Sequence, residues 1–414
     1  MAGYADMNIA KVWVQLDEAA TVQLEYWPQD SARYKRTTEA ATTTRPDFFT
    51  ATLVARGLSA GTTYRYSVLI DGKAASDERY TFSTPEHWHW RTDPPAFSIA
   101  MGSCSFWSGS DCDRPGDPYG GEYQIFDAIA QKSPELMLWL GDNIYLRECD
   151  WTSREGIFKR YSYVRQRPEL QKLLKSTQHI AIWDDHDYGP NNSDRSYILK
   201  DAATEAFRAF WANPGYGLPG QGGITTSFEW GDVQFFLLDN RYFRSNNRRT
   251  TGQRTMIGEA QFQWLIDALK KSRANFKIVA IGGQVLNPVP KYENWAGVFP
   301  EERERLLQTL RRERIEGVVF IDGDRHHSEI TRMPMPEFYP LYDFTISPLT
   351  SSAHDATSEA NHFRVEGSMI VRRNFATFSF SGPFNDRKLT VTYYDSDGNQ
   401  LLEHEIRAQD LTLD

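Results

Sequence analysis

Apolar and polar residues alternate with a period of two over 9–16, 21–27, 49–54 and 64–70, the pattern of strands with one buried face. The last run ends at Asp71-Gly72, a strong hairpin turn signal. No helical period interrupts residues 9–83, so they read as a small all-β module, a sandwich. A stretch rich in Pro and Trp over 85–95 closes this module as a linker. Beyond Pro95 the texture changes. Apolar runs at 97–101, 136–140, 180–183, 233–238, 278–281 and 318–321 alternate with helical spacing at 122–131, 202–211, 260–271 and 300–312. Strands buried between layers of helices account for both features. Strand patterning returns at 376–380, 389–394 and 401–406, with Asp397-Gly398 as a turn, and there is no internal repeat or low-complexity segment. The expected organisation is an N-terminal β-sandwich over 1–90 and an α/β domain over 96–414.

Composition narrows the function classes. A chain of 414 residues can bury a large core and still carry an appendage. Its 55 acidic residues outnumber 46 basic ones, for a formal charge of −9. That balance argues against a dedicated nucleic-acid surface. It leaves an anionic small-molecule substrate open, because bound metal ions supply local positive charge. No apolar run reaches the roughly 18 residues that span a bilayer. No signal peptide is present, yet a strand pattern starts close behind Met1, so the expectation is that a leader has been removed. Cys104, Cys112 and Cys149 are too few, and odd in number, for a disulfide framework.

The chemistry is concentrated where strands end. The run at 97–101 leads into Gly102-Ser103-Cys104, and 136–140 leads into Gly141-Asp142-Asn143-Ile144-Tyr145. The run at 180–183 leads into Asp184-Asp185-His186-Asp187, and 318–321 into Asp322-Gly323-Asp324-Arg325-His326-His327. Ligands of α/β sheets bind beyond the carboxyl ends of the strands, and Cys, Asp, His and Tyr are metal-ligand types. Singly these residues have ordinary readings: Cys104 as a small core residue, Asp142 as a turn, Tyr145 as core. Three carboxylates within four residues repel one another, and a cation is the usual reason to tolerate that.

In this order the motifs resemble those of the calcineurin-like metallophosphoesterase superfamily. Gly102-Ser103-Cys104 and Trp183-Asp184-Asp185-His186-Asp187 are similar to the first and third motifs of its alkaline phosphatase D family. Asp187 stands where that family commonly has Glu, and Tyr188-Gly189-Pro190 before Asn191-Asn192 marks a subfamily. The resemblance implies a four-layer α/β/β/α sandwich with a small fibronectin- or Ig-like N-terminal domain. It implies hydrolysis of phosphate esters, monoesters or diesters, by in-line attack of a metal-activated water or oxide. Asp142 would bridge two cations, with Cys104, Tyr145 and His326 completing the site of a ferric ion. Asp185 and Asp324 would hold calcium, and Asn191 or Asn192 would reach a second calcium. Gln284 stands in the place of a family histidine ligand, after 278–281. His186 would contact phosphate or protonate the leaving group. Arg241, in Asp239-Asn240-Arg241, is read either as a phosphate clamp or as a surface ion pair with Asp239.

Two loops on one sheet edge carry the other cysteines, so Cys112 and Cys149 are expected to form a disulfide, against the alternative of two unrelated thiols. Such a bridge fits a periplasmic or extracellular compartment and leaves Cys104 free as a ligand. Most of the tryptophans read as core, with Trp107 and Trp151 near the entrance. The alternatives to a phosphatase are a phospholipase D-like diesterase acting on lipid head groups and a non-enzymatic binding protein with structural metals.

Overall fold

A computed structural model describes residues 1–413 except 110, 111 and 114. Among the described residues the strands form three sheets. The centre of the first is parallel: Phe97–Gly102, Leu136–Leu140 and Gln178–Ile182 run side by side. The centre of the second is also parallel, with Val233–Leu237, Phe276–Ala280, Val318–Asp322 and Leu341–Thr345 in that order. Leu136–Leu140, Gln178–Ile182, Phe276–Ala280 and Val318–Asp322 are buried at every position, as strands covered on both faces must be. The two sheets meet face to face through ring contacts. Phe344 packs on Phe378 at 5.4 Å between centroids and Phe276 on Phe380 at 5.6 Å. Helices cover the outer faces, giving the expected four layers. One buried histidine of this core has both ring nitrogens engaged. His179 accepts from Trp139 Nε1 at 3.0 Å and lies 3.1 Å from the Leu173 carbonyl, and burial pulls its pKa down to about 3, so it stays neutral.

The helix expected over 122–131 starts only at Ile125, because Glu122 adopts a left-handed backbone (φ 55°). Two further helices, Arg154–Arg165 and Pro168–Ser176, lie outside the expected elements; the second buries Leu170, Leu173 and Leu174 on one face. Buried Arg160 and Arg165 break the apolar period of the first. Its start is instead marked by Ser153, whose side chain accepts from Gly156 N–H at 3.0 Å.

The first ninety residues do form a β-sandwich, but its two layers belong to different sheets. Thr21–Pro28, Thr63–Ile70 and their short neighbours make a small sheet of their own. Ala2–Ala5, Ile9–Gln15 and Thr50–Arg56 instead extend the large sheet to nine strands. Ala2–Ala5 runs parallel to Gln178–Ile182, so the edge that the parallel centre of this sheet would expose is covered. Further contacts cross the boundary expected at residue 90. Trp13 Nε1 donates to the Ala209 carbonyl at 2.7 Å, Lys11 Nζ to that of Asn213 at 2.6 Å, and Gln15 Nε2 to Ser162 Oγ at 2.8 Å. Trp13 is buried in the main core rather than in the sandwich core. Trp13→Ala is therefore expected to destabilise the whole chain by about 3–5 kcal/mol. Denaturant unfolding followed by circular dichroism and by tryptophan fluorescence should give one coincident, shifted transition. Two separated transitions would mean that the lobes unfold independently.

Candidate metal centre

Four strand ends converge at one edge of the two facing sheets. Close approach there depends on small residues. A Cβ on Gly282 would fall 2.5 Å from Asn240 Nδ2 and 2.6 Å from Asp184 Cγ, and one on Gly141 2.8 Å from Asp184 Cβ. Cys104, Asp142, Asp324 and His326 all take left-handed backbone conformations, with φ of 59°, 51°, 66° and 56°. Non-glycine residues pay for that conformation in strain, which persists where surrounding structure over-determines it.

The convergence brings three sets of donor atoms together, each within 4.8 Å: Cys104, Asp142 and His326; Asp142, Asp185 and His186; Asp184, Asp185 and Asp324. Asp142 joins the first two sets and Asp185 the last two. Tyr145 Oη lies 3.2 Å from His326 Nε2, and Cys104 Sγ lies 3.8 Å from Asp142 Oδ2. Sequence reasoning thus placed Cys104, Asp142, Tyr145, Asp185, His186, Asp324 and His326 in a single site, and the fold assembles them there. His186 is half-buried, its Nδ1 has no hydrogen-bond partner, and its ring lies 4.3 Å from that of Tyr145.

The electrostatics favour a cation. Burial, and then Asp185 and its neighbours, push the Asp142 carboxyl far up. Burial followed by Asp184 does the same to Asp324. The Cys104 thiol is raised by burial and by Asp142, and the Tyr145 phenol by burial and by Cys104. Asp185 alone lies low: burial opposes its charge, but His186, Arg241 and the Asn192 N–H outweigh it. So many anion-forming groups stay ionised together only around positive charge. A thiol, a carboxyl, a phenol and an imidazole on one side suit a transition metal. Three carboxylates on the other suit a hard cation. Asp184 Oδ2 is buried without a hydrogen-bond partner, which fits a ligand.

Asp184 was missed as a candidate ligand, although its signal lay in the run of three acids. Asp187, by contrast, is structural: its carboxylate accepts from the backbone N–H of Asn143 and Asp184 and closes a capping box on the short helix Asp185–Tyr188. Three sequence expectations are corrected by geometry. Arg241 is neither a free phosphate clamp nor on the surface. Its Nε donates to Asp184 Oδ1 at 2.5 Å and its Nη1 to Glu293 Oε2 at 2.6 Å in a buried network, while only its backbone N–H reaches Asp239. Gln284 has no lone pair left for a metal: its oxygen accepts from Asn287 and Arg325, and its amide donates to Glu329 and Thr345. Asn191 is exposed, and its loop touches the cluster through the Asn192 N–H, 2.7 Å from Asp185 Oδ2.

Cys112 and Cys149 are joined by a disulfide with Cα atoms 6.2 Å apart, and Cys104 is free and buried. Trp107 is core, stacked on Tyr123 and Phe126. A cleft of about 390 Å³ lined by Thr63, Phe97, Glu135 and Trp230 lies at the opposite ends of the strands and holds none of these donors.

Residues 99–382 match the family described as PhoD-like phosphatase, and residues 1–86 match a domain of unknown function. Alkaline phosphatase D of Bacillus subtilis (strain 168) is 23% identical over 258 residues, which is 50% of this chain and 44% of that protein. The chain thus spans less than half the length of this curated relative. The solved structure of PhoD superposes with a TM-score of 0.78 at 16% identity, covering 97% of this chain and 90% of that one. A purple acid phosphatase from yellow lupin (Lupinus luteus) seeds superposes with a TM-score of 0.71 at 12% identity, covering 99% and 74%. These similarities establish a shared fold.

The buried network makes its own prediction. Arg241→Met leaves buried Asp184 without its closest counter-charge and Glu293 with Arg244 alone, and unfolding free energy should fall by about 3–5 kcal/mol, with bound metal lost in parallel. Denaturant titration and elemental analysis measure both. Unchanged stability with a raised KM would restore the clamp role instead.

Proposed function

The chain belongs to the PhoD-like phosphatase family, and from that premise we propose that it hydrolyses phosphate esters with the help of bound metal ions. The observation that carries this reading is the continuous series of donors linked by Asp142 and Asp185. In the proposed assignment Cys104, Asp142, Tyr145 and His326 hold iron(III). Asp184, Asp185 and Asp324 would hold calcium, and the Asn192 loop would reach a second calcium. Bound there, the cations would neutralise phosphoryl charge and supply an activated water at neutral pH.

The protein's own groups do the rest. His186 stands beside both Asp142 and Asp185, and burial lowers its pKa from the ordinary histidine value. It is proposed to serve as the group that contacts phosphate and protonates the leaving oxygen. Arg241 acts through Asp184, holding one carboxylate oxygen so that the other faces the cation. The lobe over 1–90 is proposed as a buttress for the catalytic domain over 96–414 rather than as a binding module. The Cys112–Cys149 bridge supports a periplasmic or extracellular site of action. Among the described residues no helix is long and apolar enough to cross a membrane.

Assaying nitrophenyl phosphate, its bis-ester and phosphatidylcholine side by side tests the reading. Turnover of either nitrophenyl ester is expected, and turnover of the lipid alone would favour the phospholipase-type alternative. Elemental analysis should find iron and calcium, and zinc alone would overturn the metal assignment. Asp142→Asn should abolish turnover. His186→Ala should keep its metals and lose about 10²–10⁴-fold in rate, the usual contribution of a general acid; parental turnover would remove it from the mechanism.

A further inference from the structure

One charged side chain near the centre has no role in the scheme so far. Arg147 lies two residues beyond Tyr145 and is only 4% exposed. Its backbone is pinned. The N–H donates to Asp150 Oδ2 at 2.9 Å, and the carbonyl accepts from the N–H groups of Asp150 and Trp151 at 2.8 and 3.2 Å. Just before it, Leu146 N–H donates to the His186 carbonyl at 3.0 Å, and just after it the Cys149 disulfide ties the loop down. Arg147 therefore leaves a rigid turn directly beside His186, and its charge acts on the His186 imidazole.

The guanidinium itself is almost unpaired. Nε is buried with no hydrogen-bond partner. Nη2 lies 3.5 Å from Glu148 Oε2, but the Glu148 side chain is 69% exposed, so water screens that contact. Asp150 does not serve as its counter-ion, because Arg160 Nε takes the same Oδ2 at 2.8 Å. Arg241, Arg325 and Arg387 are buried with close carboxylate partners, Asp184 at 2.5 Å, Glu359 at 2.7 Å and Asp232 at 2.8 Å, and Arg165, which has none, donates to the Phe210 carbonyl and lies over the Trp211 ring. Leaving a charge buried and unpaired is costly, so a preformed turn that holds one must be compensated by an anion arriving from the His186 side.

We infer that Arg147 is a substrate-binding residue whose guanidinium takes a non-bridging phosphoryl oxygen next to His186, and that it favours phosphomonoesters over diesters. This rests on the phosphoester reading of the site. A monoester dianion carries one more charge and one more terminal oxygen than a diester, and a fixed planar fork of donors suits that addition. The fork role assigned to Arg241 from sequence thus passes to an arginine on a neighbouring loop.

The test compares Arg147→Ala, Arg147→Gln and Arg147→Lys with the parent on nitrophenyl phosphate and its bis-ester, with metal content and melting temperature measured on each. For the neutral variants kcat/KM on the monoester should fall about 10²–10³-fold, the usual loss of one transition-state donor, and clearly less on the diester. The inhibition constant of inorganic phosphate should rise in step. Added guanidinium should restore part of the activity of Arg147→Ala, and Arg147→Lys should fall between. Equal losses on both esters without guanidinium rescue, or an unchanged phosphate inhibition constant, would overturn the inference while leaving the hydrolase intact. If the parent turns over neither ester, the phosphoester reading fails instead. Calorimetric binding of inorganic phosphate to the parent and to Arg147→Gln then decides the Arg147 assignment separately, with equal affinities overturning it. A variant that does not fold is replaced in each comparison by Arg147→Lys.

Discussion

Concentrated negative charge in a place without water is the constraint on which this structure depends. Buried Asp142, Asp184 and Asp185 and half-buried Asp324 sit at adjoining strand ends, and buried Cys104 and Tyr145 add two more groups of types that bind metals as anions. Desolvation alone would drive all of them neutral. Compensation comes from two directions. From behind, Arg241 takes one oxygen of Asp184 and is itself balanced by Glu293, which Arg244 also contacts at 3.1 Å. From the front, the donors face inward on a space suited to cations. The protein side fixes which oxygen of Asp184 remains free, and that asymmetry turns an acidic cluster into a directed site.

The surrounding architecture keeps these charges where repulsion would otherwise scatter them. Each donor is attached to the end of a strand buried on both faces, so it cannot retreat without breaking the core. The capping box of Asp184 and Asp187 holds the short helix that presents Asp185 and His186. The N-terminal lobe contributes from a distance: by pairing Ala2–Ala5 with Gln178–Ile182 it braces the strand that leads into Asp184. The disulfide joins the loop after Cys104 to the loop after Tyr145, so two donors from different strands share one covalent frame.

Much of this was legible in the residues. Continuous apolar runs identified the buried strands, because a strand covered on both faces has no polar alternate. The glycines and acids that follow those runs located the site, since strand ends in such a sheet gather at one edge. The helix at Arg154–Arg165 was not legible from spacing. Buried Arg160 and Arg165 interrupt its apolar stripe, and only a surrounding fold supplies the partners that let such residues go inside.

What the linear chain determined by itself was the inventory and order of candidate site residues: Cys104, Asp142, Tyr145, Asp185, His186, Asp324 and His326 all lie in motifs whose chemistry is written in neighbouring residues. What only tertiary structure decided was the pairing of groups distant along the chain. Whether Arg241 meets a phosphate or Asp184, whether Gln284 meets a cation or Arg325, and whether the first ninety residues stand apart or complete a sheet each depends on contacts made across the fold. Hydrogen bonds and ion pairs are satisfied by proximity in space, and sequence spacing carries that information only where both partners sit on the same turn, strand or helix.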